Sequence, residues 1–154
     1  MASRPTTVAL IVAAGSGSRV GGAQPKQFRL VRGKPMLWHS YAALSAHPDI
    51  DQVYVAIGAG QEAEATAALA GLKEPIFVQG GATRRESVHL GLMAIAAHAA
   101  IDQVLIHDAA RPFLPSIVIE DLLDALLHAP GAVPALTVVD SLSRGTDRLS
   151  ETVE

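Results

Sequence analysis

The chain has 154 residues, about the length that supports one hydrophobic core. Apolar residues make up 49% and charged residues 18%, which excludes a disordered polymer, and a formal charge of −3 argues against general nucleic-acid binding. With no cysteine, disulfides, thiolate zinc sites, iron–sulfur clusters and a cysteine nucleophile are excluded together.

The apolar run Val8–Ala14, ending at Gly15, reads as a strand buried on both faces. A polar, glycine-containing loop follows to about Arg32. Pro35 fits the first turn of a helix in which Met36, Leu37, Tyr41 and Leu44 recur at helical spacing up to Pro48. Val53–Ile57 is a second strand, stopped by Gly58 and Gly60, and Gln61–Leu69 an Ala/Glu-rich helix. Ile76–Val78 is a short third strand before Gly80-Gly81. Val88, Leu92, Ile95 and Ala99 stripe a helix from Arg84 to about Ala100. Val104–Ile106 is a fourth strand ending in His107-Asp108, Pro115 opens a further helix through Leu127, and Ala132–Val139 reads as a fifth strand. Strands alternating with helices predict an α/β fold, a mostly parallel sheet with helices on both faces. Residues 1–139 are expected to form that domain. The polar stretch 140–154 is expected to begin an exposed two-stranded β-arm, and its lack of a closing element suggests a truncated chain. No apolar run reaches membrane-spanning length, and Met1–Thr7 lacks the apolar stretch of a secretory signal. The expectation is a soluble cytoplasmic protein.

Ligands of open α/β sheets bind at the C-terminal strand ends. The segments there are Gly15-Ser16-Gly17-Ser18-Arg19 with Pro25-Lys26-Gln27, then Gly80-Gly81-Ala82-Thr83-Arg84-Arg85-Glu86-Ser87, then His107-Asp108-Ala109-Ala110-Arg111-Pro112. Glycine lets backbone N–H groups approach an anion, and Arg and Lys add charge-assisted bonds to phosphate. The three loops therefore describe a phosphate-rich ligand. A Walker A loop is excluded because Lys26 follows proline, and a dinucleotide fingerprint because Val20 takes the third glycine position and no acid closes the second strand.

Ala13-Ala14-Gly15-x-Gly17-x-Arg19 followed by Pro25-Lys26 resembles the signature loop of sugar-phosphate nucleotidyltransferases. With Pro25-Lys26-Gln27-Phe28, Gly33-Lys34-Pro35, Gly80-Gly81-x-x-Arg84-x-x-Ser87-Val88 and His107-Asp108-Ala109-Ala110-Arg111-Pro112, the chain resembles the 2-C-methyl-D-erythritol 4-phosphate cytidylyltransferases over nearly its whole length. The resemblance implies a three-layer, Rossmann-like nucleotidyltransferase fold and transfer of CMP from CTP to methylerythritol phosphate. Pyrophosphate leaves and no protein nucleophile is needed. It implies Arg19 and Lys26 as catalytic cations at the α-phosphate and the departing pyrophosphate. Ala13, Ala14, Gly15 and Gly17 would cradle the nucleotide. Gly81, Arg84 and Ser87 would surround the cytosine and ribose, with Asp108 and Ala109 nearby. Asp108 would meet the ribose or a Mg²⁺ ion bridging the phosphates, and Arg111 and Ser141 the second substrate. It further implies a homodimer through the β-arm, and some members of the family are fused to a downstream cyclodiphosphate synthase.

Simpler roles exist for single residues. Gly15 and Gly17 could form only a turn, Ser87 could be an ordinary helix-start residue, and Asp108 could cap the next turn. Arg84 and Arg85 cannot both face one ligand from a helix, and the family pattern selects Arg84. His107 is taken as structural, Lys34 as a turn residue, and Trp38 and Tyr41 as core. Ser141 stands where the family commonly has Thr, and Ser143 where it commonly has Lys. The acceptor half is therefore expected to be incomplete and the polypeptide alone to turn over poorly. The rival readings are another pyrimidine nucleotidyltransferase, such as a ribitol-phosphate cytidylyltransferase, and a non-catalytic nucleotide-binding module.

Overall fold

The structure, a computed structural model, describes residues 4–15, 24–98, 100–137, 142–144 and 151–153. It divides into two compact units, Met1–Ile119 and Glu120–Glu154.

The first unit is built on a four-stranded parallel sheet of β1 (Thr7–Ala13), β4 (Gln52–Ile57), β5 (Ile76–Gln79) and β6 (Gln103–Asp108), in the order β5-β4-β1-β6. Its central strand β1 is almost wholly buried, as its unbroken apolar run requires. Val8 and Leu10 join Tyr54, Ala56 and Ile95 in one apolar cluster beneath α3 (Arg84–His98). Because strand side chains alternate, Ala9, Ile11, Val53 and Val55 face the opposite side, and they too are buried. Helix α1 (Met36–Ser45), which packs on β1 and β4, brings Leu37, Tyr41 and Leu44 into the core. A Cβ added at Gly91 would stand 2.6 Å from Leu10 Cδ2, so α3 beds against β1 closely enough to require glycine there.

A short helix, α2 (Glu62–Ala68), links β4 to β5. The expected loop after β1 holds more structure than its composition announces: a single 3₁₀ turn over Lys26–Phe28, then a hairpin of β2 (Leu30–Val31) and β3 (Lys34–Pro35). The hairpin turn places Arg32 at φ +50° and Gly33 at φ +78°. Pro35 closes β3 in extended conformation (ψ 146°) and precedes the helix, rather than occupying its first turn.

The last helix, α4, runs Ser116–Leu126. The second unit contains an antiparallel ribbon of β7 (Leu142–Arg144) and β8 (Glu151–Val153). The fifth strand expected over residues 132–139 is not formed across its described part, residues 132–137. Pro134 interrupts that stretch and has no N–H to give a ladder. Val138, Val139 and Ala99 lie outside the described residues.

Candidate functional site

Strand order reverses beside β1. The chain steps from β1 to β4 to β5, then returns to the other side of β1 as β6. In an open parallel sheet such a reversal leaves a crevice at the C-terminal strand ends. The ends of β1 and β6 lie level there, with Val12 paired in register to Asp108. The Ala109 N–H donates to the Val12 carbonyl at 3.1 Å and closes the last rung.

The loop after β5 crosses the end of β4 to reach the same place. The Gly80 N–H donates to the Ile57 carbonyl at 2.8 Å, and a Cβ added at Gly80 would collide with that of Ala14. The loop then turns into α3 through a dense set of bonds. The Ser87 hydroxyl accepts the Gly81 N–H at 3.0 Å and donates to the Thr83 carbonyl at 2.9 Å. Thr83 Oγ1 accepts the Glu86 N–H at 3.1 Å, while the Glu86 carboxylate reaches back to the Ala82 N–H at 2.8 Å. This is a reciprocal capping arrangement that satisfies one free N–H of the first turn, that of Glu86, and the Ala82 N–H just before the helix.

Arg84, the first residue of α3, projects across to β6, and its Nε lies 2.8 Å from Asp108 Oδ1. Arg111 Nε stands 3.6 Å from Asp108 Oδ2. The turn carrying Arg111 is braced from beneath. Its carbonyl accepts from His107 Nε2 at 3.0 Å and from the fully buried Ser40 hydroxyl at 3.3 Å. Burial pushes the His107 imidazole below its ordinary value.

Most of the sequence-derived candidates thus gather at one rim. Ala13 ends β1 with Ala14 and Gly15 just beyond it, Gly81, Arg84 and Ser87 lie around the start of α3, and Asp108 ends β6 with Ala109 and Arg111 following. Among the described residues nothing lies within 4 Å of a Cβ added at Gly15, so no described side chain crowds the backbone there. Ser87 is only 1% exposed and Ala109 only 2%, and both spend hydrogen bonds on holding their loops. Lys26 begins the 3₁₀ turn, and among the described residues its ammonium makes no hydrogen bond or ion pair. Gly17, Arg19 and Ser141 lie outside the described residues.

Three polar residues at the rim escaped sequence reasoning. Gln27 Nε2 donates to the Ala13 carbonyl at 2.6 Å, Gln61 Oε1 accepts the Gly58 N–H at 3.0 Å, and Ser40 holds the turn after β6. Gln27 lies within a recognised motif, which was its one available signal. Arg32 and Lys34 are each engaged with an aromatic ring, Phe113 at 5.1 Å and Trp38 at 5.2 Å.

For a divalent cation the end of β6 offers the Asp108 carboxylate. No group of three or more His, Asp or Glu side chains that could hold a metal occurs among the described residues. A single carboxylate fits an ion whose other ligands are phosphate oxygens and water. No helix among the described residues is long and apolar enough to cross a membrane.

The sequence model of the family described as IspD, 2-C-methyl-D-erythritol 4-phosphate cytidylyltransferase, matches residues 7–154. The bifunctional enzyme IspD/IspF of Rhizorhabdus wittichii is 52% identical over 153 residues, spanning 99% of this chain and 39% of that protein. That of Rhodospirillum rubrum is 46% identical over 138 residues, spanning 89% of this chain and 36% of the relative. The chain thus spans less than half the length of these curated relatives. The fold matches a crystal structure of 4-diphosphocytidyl-2C-methyl-D-erythritol synthase with TM-score 0.79 and 27% identity, over 99% of this chain and 69% of that one. It also matches the 2-C-methyl-D-erythritol 4-phosphate cytidylyltransferase of Thermus thermophilus (TM-score 0.70, 31% identity, 94% and 62% covered). Sequence and architecture agree, and the chain belongs to the IspD family of nucleotidyltransferases.

Proposed function

We propose that the chain carries the nucleotide-binding half of a cytidylyltransferase that moves CMP from CTP to 2-C-methyl-D-erythritol 4-phosphate. The products are 4-diphosphocytidyl-2-C-methyl-D-erythritol and pyrophosphate. The observation that carries this reading is the Arg84–Asp108 pair at the reversal of strand order, with the Gly15 backbone, uncrowded by any described residue, just past the end of β1. A phosphate oxygen of the acceptor attacks the α-phosphorus, and the bond to the β,γ-pyrophosphate breaks. The protein must align two anions and offset the charge that develops.

In this proposal Arg19 and Lys26 supply that charge, and a positioned cation is worth roughly 10²–10³ in rate. Ala13, Ala14, Gly15 and Gly17 hold the phosphates by backbone groups, and Gly81, Arg84, Ser87 and Ala109 frame the nucleoside. Asp108 would hold a divalent cation, Mg²⁺, which when bound adds positive charge at the phosphate oxygens. Arg111 and Ser141 serve the acceptor. Residues 1–139 are the nucleotide domain, and the stretch from 140 onward is the beginning of an arm that pairs two copies, in a cytoplasmic enzyme.

Pyrophosphate release by the chain, with CTP and Mg²⁺ against methylerythritol phosphate and ribitol phosphate, tests the reading. Slow release with methylerythritol phosphate, and thermal stabilisation by CTP greater than by ATP or GTP, are expected. At about 100 times its dissociation constant the nucleotide adds roughly 2.7 kcal/mol. Equal stabilisation by all three triphosphates, or full CTP response in Lys26→Ala, would overturn it.

A further inference from the structure

Gln27 is a buried amide to which the proposed reaction assigns no part. It is 4% exposed, follows Lys26 directly and shares its 3₁₀ turn. The β1–β4 register ends at Ala13 opposite Ile57. In a parallel ladder the next bond would run from the Gly58 N–H to the Ala13 carbonyl. Here both groups turn to side chains instead. The Gly58 N–H donates to Gln61 Oε1 at 3.0 Å, and the Ala13 carbonyl accepts Gln27 Nε2 at 2.6 Å. The two amides stand 3.5 Å apart, Nε2 to Oε1. A glutamine pair therefore replaces one rung where β1 and β4 part.

This arrangement ties the turn that bears Lys26 to the terminal carbonyl of β1. We propose that Gln27 is a positioning residue for Lys26: its amide fixes where the neighbouring ammonium stands relative to the Ala13–Gly15 backbone. The bond is short and shielded from water, so losing it strands a buried carbonyl and frees the turn to shift. Gln61 completes the clasp by holding Gly58 aside. The inference rests on the cytidylyltransferase reading, because it acts through Lys26 on the triphosphate.

Calorimetric titration of the chain with CTP and Mg²⁺, with GTP as control, tests it in a double-mutant cycle. If the wild-type chain shows no preference for CTP, or Lys26→Ala binds CTP as tightly as wild type, the cytidylyltransferase reading fails and takes this inference with it. If those two controls hold, Gln27→Met is expected to weaken CTP binding about five- to tenfold in the wild-type background. In the Lys26→Ala background the loss should be less than about twofold. An equal loss in both backgrounds would assign Gln27 a general packing role and overturn the proposal, as would no loss in either. Should Gln27→Met fail to fold, Gln27→Glu gives the same decision. An ionised carboxylate there faces the Ala13 carbonyl and cannot donate, whereas the protonated acid, which burial favours as pH drops, can. The ratio of wild-type to variant affinity should therefore fall toward one as pH drops, and a ratio constant with pH overturns the proposal.

Discussion

Arg84 Nε and Asp108 Oδ1, 24 residues apart in sequence, meet at 2.8 Å across the end of the sheet. One is the first residue of α3 and the other the last residue of β6, so their contact joins the two loops that flank the end of β1. The pair is half-open to solvent, with side-chain exposures of 61% and 30%. An ion pair so placed contributes little to folding, on the order of 1 kcal/mol or less.

Asp108→Asn separates binding from stability. The thermal midpoint should change little, while affinity for CTP with Mg²⁺ falls about ten- to hundredfold through loss of a charged partner. Scanning calorimetry and nucleotide titration on the same preparation check both halves. A variant that binds as wild type does would remove Asp108 from the site.

Ser87→Ala should act the other way, on folding first. Its hydroxyl accepts the Gly81 N–H and donates to Thr83, and Ser87 is buried. Deleting it leaves the Gly81 N–H without its acceptor, costing about 1–2 kcal/mol. The midpoint should drop by about 2–8 °C, with CTP affinity reduced as the Gly81 loop loosens. An unchanged midpoint would mean that water fully replaces the hydroxyl.

Acid stability should depend on Asp51. The Thr7 N–H at 2.8 Å and the Arg4 guanidinium hold its carboxyl below the usual carboxylate range. A folded-state pKa below the unfolded value of about 3.9 means that the stabilisation is complete well above that value. It is lost as pH falls through the folded pKa. Asp51→Asn should therefore melt earlier than wild type at pH 7, and the two melting curves should converge in acid as Asp51 becomes protonated in the folded protein. A gap that persists undiminished in acid would exclude this carboxylate as its source.

At the alkaline end the relevant group is Tyr41. Burial, and secondarily the nearby Glu74 carboxylate, push its phenol up to about 12. Folding favours the neutral phenol, so its contribution is intact below the unfolded value of about 10 and erodes as pH rises toward 12. Absorbance near 295 nm should show Tyr41 ionising late, together with loss of structure. Tyr41→Phe should flatten the alkaline limb of the stability curve. Ionisation of Tyr41 near pH 10 in the folded protein would contradict its burial.

Much of this architecture was legible because apolar runs and glycine stops are local signals. The Val8–Ala14 run reads as a strand buried on both faces, and neighbours on a helix point about 100° apart, so only one of Arg84 and Arg85 could face the site, the family pattern selecting Arg84. Gln27 and Gln61 were not legible, since an amide in a polar loop carries no mark of the carbonyl that will claim it. Ser40 looked like one polar residue on an apolar helix, and its partners lie about 70 residues away. Residues 132–137 failed the other way. Their apolar character suggested a strand, but Pro134 removes a donor, and Val133 and Leu136 are exposed at 86% and 94%.

The close seating of Gly91 on Leu10 has a reach beyond the interior. Arg84 sits two turns earlier on the same stiff rod, about 10 Å away along its axis. How deeply that rod settles therefore decides where its tip can deliver a guanidinium. A methyl group at Gly91 would press on the buried Leu10 and act as a shim, altering the geometry from which Arg84 reaches Asp108. A clearance inside the apolar layer thus calibrates the polar geometry at the surface.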